Sequence, residues 1–239
     1  MTEKETIKEV VCEPPRLRLE FMPIIHCPGC HYGIIARILC EVIEEMGIED
    51  RTIVLGGSGC TEFWTMYFDM DMFGSLHGPG IATETAIKRV NSDSVVFAVQ
   101  EDGEIGAIGL GYFMADTLRG EKTTQYPCTM HVSALPAARW PPTTLLGMRT
   151  TTTTQERDLK ISGFPFHGAE LAASMKGTSC SARVSVHTPA NRQKANKIVR
   201  EALEKQIAGI GFSIVEFLSA CPVNWRIGQR NAWISLKTI

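Results

Sequence analysis

The sequence lacks any apolar run approaching the ~20 residues that a membrane-crossing helix needs. Its opening stretch, MTEKETIKE, carries charge in place of the apolar core of a secretory signal. A basic run is missing too: 24 Lys and Arg stand against 26 Asp and Glu, for a net charge of −2, which leaves no electrostatic footprint for nucleic acid or an anionic membrane. Gly106, Gly109 and Gly111 lack the spacing of a dinucleotide fingerprint, so a nicotinamide-dependent α/β enzyme is a weak third alternative. These absences leave one compact soluble domain: 239 residues, 44% of them hydrophobic, close to the upper size for a single core. The expected compartment is the cytoplasm, and there the 8 cysteines argue for metal or redox chemistry more than for disulfides.

Residues 1–22 are charged and carry Pro14 and Pro15, which predicts an arm wrapped on the surface or on a partner, ahead of a single domain over 23–239. Ile34, Ile35, Ile38, Leu39, Val42, Ile43 and Met46 recur at helical spacing and predict a helix closed by Gly47. A β-type run over 52–55 leads into Gly56-Gly57-Ser58-Gly59-Cys60, a loop too rich in glycine for ordinary packing. The pattern continues with a helix over 79–90, a buried strand over 94–99, a tight turn at Asp102-Gly103 and an apolar helix over 105–118. A strand over 182–186, a helix from Thr188-Pro189 to Ile207 and a strand over 211–218 complete it. This alternation predicts an α/β fold with a mostly parallel sheet and ligand sites at the carboxyl ends of its strands, where Cys60, Asp102 and Cys221 all fall. Residues 125–142 do not fit, having four prolines and neither helical nor strand periodicity, and their disruption is expected to remove a strand from the sheet. The threonine run over 150–154 reads as a polar surface loop.

Cys27-Pro28-Gly29-Cys30 is a C-x-x-C knuckle, able to present two thiolates to one metal while its proline and glycine shape the turn. Cys60 and Cys221 would bring the count to four. Four soft thiolates suit structural zinc or a [4Fe–4S] cluster, and spacing does not choose between them. Cys40 belongs to the apolar face of its helix, whereas Cys12, Cys128 and Cys180 fall in no pattern. Glu101-Asp102-Gly103-Glu104 places carboxylates between a strand and a helix, where Mg²⁺ and a diphosphate could be bound together, although aspartate-glycine is also an ordinary turn. His77 precedes a helix, where it could meet phosphate or substrate or serve only the structure.

Several ordered motifs carry a resemblance over nearly the whole chain. They are the knuckle with His31-Tyr32-Gly33, the Gly-Ser-Gly-Cys loop, Tyr67-Phe68-Asp69-Met70-Asp71, Leu76-His77-Gly78 and Glu-Asp-Gly-Glu. Pro142-Thr143-Thr144-Leu145-Leu146-Gly147, Val184-Ser185-Val186-His187-Thr188-Pro189-Ala190-Asn191 and Cys221-Pro222-Val223-Asn224-Trp225 follow. Together they resemble the thiamine-diphosphate-binding (β) subunit of the 2-oxoacid:ferredoxin oxidoreductases, in particular the 2-oxoisovalerate and 2-oxoglutarate types.

The resemblance implies a [4Fe–4S] cluster on Cys27, Cys30, Cys60 and Cys221, and Mg²⁺ on Asp102 within a thiamine diphosphate motif that includes Gly103 and Glu104. It implies cofactor contacts for Gly59, Thr61, His77 and Gly78, with His77 the candidate catalytic group. The implied reaction is oxidative decarboxylation of a 2-oxoacid to acyl-coenzyme A and CO₂, with electrons leaving through the cluster to ferredoxin. It also implies a pyrimidine-domain (α) partner subunit, without which this chain is inactive. An alternative is an iron-sulfur or zinc homologue that has lost thiamine diphosphate. Pro79 stands where the family commonly has arginine, which puts a substrate contact in doubt. Glu101 adds a side chain and a negative charge where the family has a small residue, so weakened diphosphate binding is expected unless the loop adjusts.

Relatives place, at the same distance from the aspartate, a strand ending in asparagine, the second Mg²⁺ side-chain ligand, and then Gly-x-Thr-Gly-Gly-Gln-Met-Ala-Pro-Thr-Thr. That asparagine falls on Met130 here. Residues 129–142 can be coded so that the shifted frame reads Asn-Ala-Cys-Leu-Gly-Ile-Thr-Gly-Gly-Gln-Met-Ala-Pro, meeting Thr143-Thr144 in register. Residues 125–141 are accordingly read as an out-of-frame translation bounded by two compensating frameshifts, a reading tested by the nucleotides across codons 120–145.

Overall fold

In a computed structural model, which describes residues 25–132, 139–226, 228 and 231, the strands are β1 (Thr52–Gly56), β2 (Asp71–Gly74), β3 (Val95–Glu101), β4 (Thr124–Thr129), β5 (Thr178–Ser185) and β6 (Phe212–Leu218). They form one sheet in the order β2-β1-β3-β4-β6-β5, and every neighbouring pair is parallel. The helices are α1 (Tyr32–Met46), α2 (Gly80–Val90), α3 (Leu110–Arg119), α4 (Leu159–Ser162), α5 (Gly168–Ala173), α6 (Pro189–Ile207) and α7 (Pro222–Trp225). Residues 1–22, read as an arm, and most of the tail beyond Trp225 lie outside the described residues.

Strand alternation sorts the core into two layers. Val95, Phe97 and Val99 of β3 and Val215 and Phe217 of β6 join Ile38, Leu39 and Ile43 of α1 and Val199 and Leu203 of α6. The intervening Val96 and Ala98 pack with Ile87 of α2, and Phe212 and Ile214 with Phe113 of α3 and Ala172 of α5. Both sheet faces are therefore covered, the condition under which an all-parallel sheet is stable. Helix α1 ends as its sequence predicts: Gly47 takes φ 62°, its N–H donates to Glu44 O, and the Ile48 N–H donates to Ile43 O. Thr188 caps α6 by accepting from the Asn191 N–H, with Pro189 in the first turn.

Two expectations are corrected. Asp102 and Gly103 form no tight turn: Gly103 is right-handed helical, and the chain passes from β3 through a π-helical turn, Glu104–Ile108, into α3. The disrupted segment does not cost the sheet a strand, because β4 forms within it and pairs with both β3 and β6. Every β4 residue is buried, which explains the missing period of 2. Pro127 leaves its mark, since pairing with β6 skips Tyr126 and Pro127, a proline having no N–H to donate. The threonine run is a polar turn, with Thr150, Thr152 and Thr153 bonded among themselves.

Glu84 of α2 is fully buried and accepts from the Thr124 N–H at 3.0 Å and from Gln125 Nε2. Burial first, then repulsion from Asp116, pushes its carboxyl well above the usual range. A protonated Glu84 finds an acceptor when the Gln125 amide is flipped, for Gln125 Oε1 has no other partner among the described residues. The raised pKa belongs to the folded state, so the native protein holds a proton that the unfolded chain releases above about pH 4.3. Its contribution to stability is complete below that pH and declines as pH rises toward the folded-state value. Denaturant titrations from pH 5 to pH 8 should show falling stability, and Glu84→Gln should flatten that fall. Equal slopes in both proteins would count against the neutral carboxyl.

Candidate functional site

Strand order reverses between β1 and β3, so their carboxyl ends open a crevice of the kind where parallel α/β sheets bind ligands. A cavity of about 630 Å³ lies there, lined by Ser58, Gly59, His77, Gly103, Ile108 and Trp140 among others. Gly78 has φ 95°, and a Cβ on it would stand 2.7 Å from Ile108 Cγ2, which fixes glycine where the His77 loop meets the π turn. His77 is half-buried, with Nδ1 3.6 Å from Glu104 Oε1, and burial lowers its pKa.

The acids at the end of β3 are all buried: Glu101 and Glu104 are 0% exposed and Asp102 2%. Asp102 is fully engaged by donors. Its Oδ1 accepts from the Gly103 N–H, and its Oδ2 from the N–H groups of Met130 and His131 and from the Thr143 hydroxyl. Glu104 accepts from the Ser58 N–H at 3.0 Å and the Glu101 N–H at 2.9 Å, tying the glycine loop to β3. Glu101 Oε1 accepts from the Cys60 N–H at 2.7 Å. Burial, with repulsion from Asp102 and Glu104 added, pushes Glu101 up to about 8; burial alone pushes Glu104 up to about 7, against the hydrogen bonds it accepts. Burial raises Asp102 as well. Among the described residues none of the three acids pairs with Lys or Arg.

The thiols gather beside this crevice. The knuckle is closed by Cys30 N–H donating to Cys27 O, Cys60 opens the short helical stretch after the glycine loop, and Cys221 begins α7 after β6. Burial pushes the Cys30 thiol up to about 12, and the nearby Cys221 and Cys27 add to the rise. Cys60 is raised by burial, by Glu101 and then by Cys30, Cys221 and Cys27. Segments far apart in sequence thus bring four thiols into one electrostatic neighbourhood. None of the seven described cysteines is in a disulfide. Among the described residues no three His, Cys, Asp or Glu side chains converge on a single-ion site. Four thiols in one neighbourhood are a soft donor set of the kind that zinc or an iron-sulfur cluster takes. Cys40 is buried in α1, and Cys128 and Cys180 are buried in β4 and β5.

A Mg²⁺-diphosphate fits the crevice poorly. The Met130 side chain is 1% exposed and belongs to the apolar core, and a thioether is no ligand for a hard cation. Carboxylates, not open space, stand over the glycines: a Cβ on Gly59 would lie 2.8 Å from the Glu101 carboxylate, and one on Gly57 2.2 Å from Glu104 Oε2. Thr61 is buried, and its hydroxyl has no hydrogen-bond partner among the described residues. The sequence reading passed over Thr143 as a site residue, although Pro-Pro-Thr-Thr at 141–144 was the available signal; its hydroxyl holds Asp102.

No protein-family profile matches the chain. The ketoisovalerate oxidoreductase subunit VorA of Methanothermobacter thermautotrophicus is 34% identical over 212 residues, covering 89% of this chain and 44% of that protein. The 2-oxoglutarate synthase subunit KorB of Archaeoglobus fulgidus is 30% identical over 211 residues, covering 88% of this chain and 74% of that protein. The chain belongs to the 2-oxoacid:ferredoxin oxidoreductase subunit family. It spans less than half the length of the VorA members. The family fold is also seen in the structure of a 2-oxoglutarate:ferredoxin oxidoreductase from Magnetococcus marinus, with a TM-score of 0.74 at 22% identity, covering 84% of this chain and 66% of that one. No helix among the described residues is long and apolar enough to cross a membrane.

Proposed function

We propose that this chain is the cluster-bearing subunit of a 2-oxoacid:ferredoxin oxidoreductase, with Cys27, Cys30, Cys60 and Cys221 holding a [4Fe–4S] cluster. The observation that carries this reading is the meeting of these four thiols, from three separate stretches of sequence, at the carboxyl end of the sheet. Such a cluster supplies single-electron transfer. The protein's part is to fix the sulfurs, Cys27 exposed and Cys221 buried, and to set the cluster beside the β1–β3 crevice. The crevice is the place for thiamine diphosphate and Mg²⁺, with Asp102, Gly103, Glu104, Gly59, Thr61, His77 and Gly78 as the residues to hold them, and it would take them only once the Glu101 carboxyl leaves the space over Gly59. The substrate would be 2-oxoisovalerate or 2-oxoglutarate, with coenzyme A as acyl acceptor, ferredoxin as electron acceptor and an α subunit completing the site.

A second reading, an iron-sulfur or zinc homologue without thiamine diphosphate, is favoured by the apolar Met130 and the carboxylate over Gly59. Anaerobic reconstitution with iron and sulfide separates cluster from zinc. The expected result is a broad visible absorption with about four irons per chain. A chain that takes up zinc but develops no iron-sulfur absorption would refute the primary reading.

A further inference from the structure

The glycine loop after β1 leaves space over the end of β3, and a side chain of the chain itself fills it. Gly57 and Gly59 have no side chains, and Gly59 takes φ 96°, so the backbone lies open toward the end of β3. Into that opening comes Glu101. Its Oε1 takes the Cys60 N–H at 2.7 Å, and its Oε2 is buried with no hydrogen-bond partner among the described residues. A buried carboxylate with one donor and no paired cation is costly to keep. The neighbouring acids differ from it. Glu104 binds two backbone N–H groups, from Ser58 and Glu101, and Asp102 accepts four donors, so both tie backbone together at the end of the sheet. Glu101 holds no more than the amide of Cys60.

We propose that Glu101 is an internal occupant of a phosphate seat: its carboxyl group takes the Cys60 amide and the space over Gly59 that a phosphate of a Mg²⁺-diphosphate would use. The loop is closed to such a ligand while Glu101 is present and opens when that side chain is shortened. This rests on the reading above that places a diphosphate in the β1–β3 crevice. The thiol quartet plays no part in it.

The test is calorimetric titration of the full chain with Mg²⁺-pyrophosphate and with Mg²⁺-thiamine diphosphate. The proteins compared are the wild type, Glu101→Gly and Glu101→Ala; the alanine variant carries the experiment if the glycine variant does not fold. Both variants should bind both ligands at least about 10-fold more tightly than wild type, equivalent to about 1.4 kcal/mol. Adding Asp102→Asn to Glu101→Ala should abolish the gain, which places it in this crevice. Wild-type affinity equal to that of the variants, or folded variants that bind no better than wild type, would overturn the proposal. Failure of the cluster reading would appear instead in the reconstitution spectrum, which does not depend on these titrations.

Discussion

Cys60→Ser reduces the iron retained per chain after anaerobic reconstitution at least about 10-fold, while the chain remains folded. Serine keeps the size and local hydrogen bonding of the site but replaces a soft, polarizable thiolate with a hydroxyl that holds its proton far more tightly. Burial raises the Cys30 and Cys60 thiols, so both are neutral without metal, and no ion pair is lost when one of them is replaced. Cys60 is only partly buried against the core, and serine is close to it in size, so circular dichroism and the denaturant midpoint should change little. Cys221→Ser should behave likewise. Cys40→Ala is the informative contrast: that side chain is fully buried on α1, so its loss should cost about 1 kcal/mol of stability and leave the visible band intact. A Cys60→Ser protein with undiminished iron and absorbance would remove Cys60 from the set.

Periodicity recovered the elements that bury one face. Helix α1 and helix α6 lie where their apolar spacing and their caps, Gly47 and Thr188-Pro189, place them. Periodicity failed at β4, because a central strand of a parallel sheet is buried on both faces and has no alternation to read. Pro127 then argued against a strand that neighbouring β3 and β6 nonetheless recruit. The Asp102-Gly103 pair misled in the opposite direction, since the dipeptide is common in turns but here starts a helix that glycine tolerates. Sequence order could place Cys60, Asp102 and Cys221 after strands, which in a parallel sheet means one edge. It could not show that Glu101 points at the Cys60 amide, because that contact depends on how the Gly59 loop closes over the end of β3.

An out-of-frame origin for residues 125–141 makes Met130 the wrong side chain in the right place. The Met130 and His131 N–H groups already reach Asp102 Oδ2, so this stretch lies against the candidate Mg²⁺ position, yet it brings donors and an apolar side chain where a hard cation needs oxygen. Pro127, which leaves the β4–β6 ladder with a gap, is a second residue at odds with its place. In the Glu101→Gly background, replacing residues 130–142 with Asn-Ala-Cys-Leu-Gly-Ile-Thr-Gly-Gly-Gln-Met-Ala-Pro should therefore tighten Mg²⁺-thiamine diphosphate binding by a further factor of about 10 to 100. The gain should be largest for the Mg²⁺-dependent part of the affinity, because the restored asparagine contributes an amide oxygen to the metal and nothing to the thiazolium. With Glu101 still in place the same replacement should gain little, since the carboxylate over Gly59 would continue to exclude the diphosphate. A gene whose alternative frame across codons 120–145 lacks these residues would make the segment a true divergence. In that case Met130 is the chain's own core residue, and the second reading, a homologue without thiamine diphosphate, gains ground over the first.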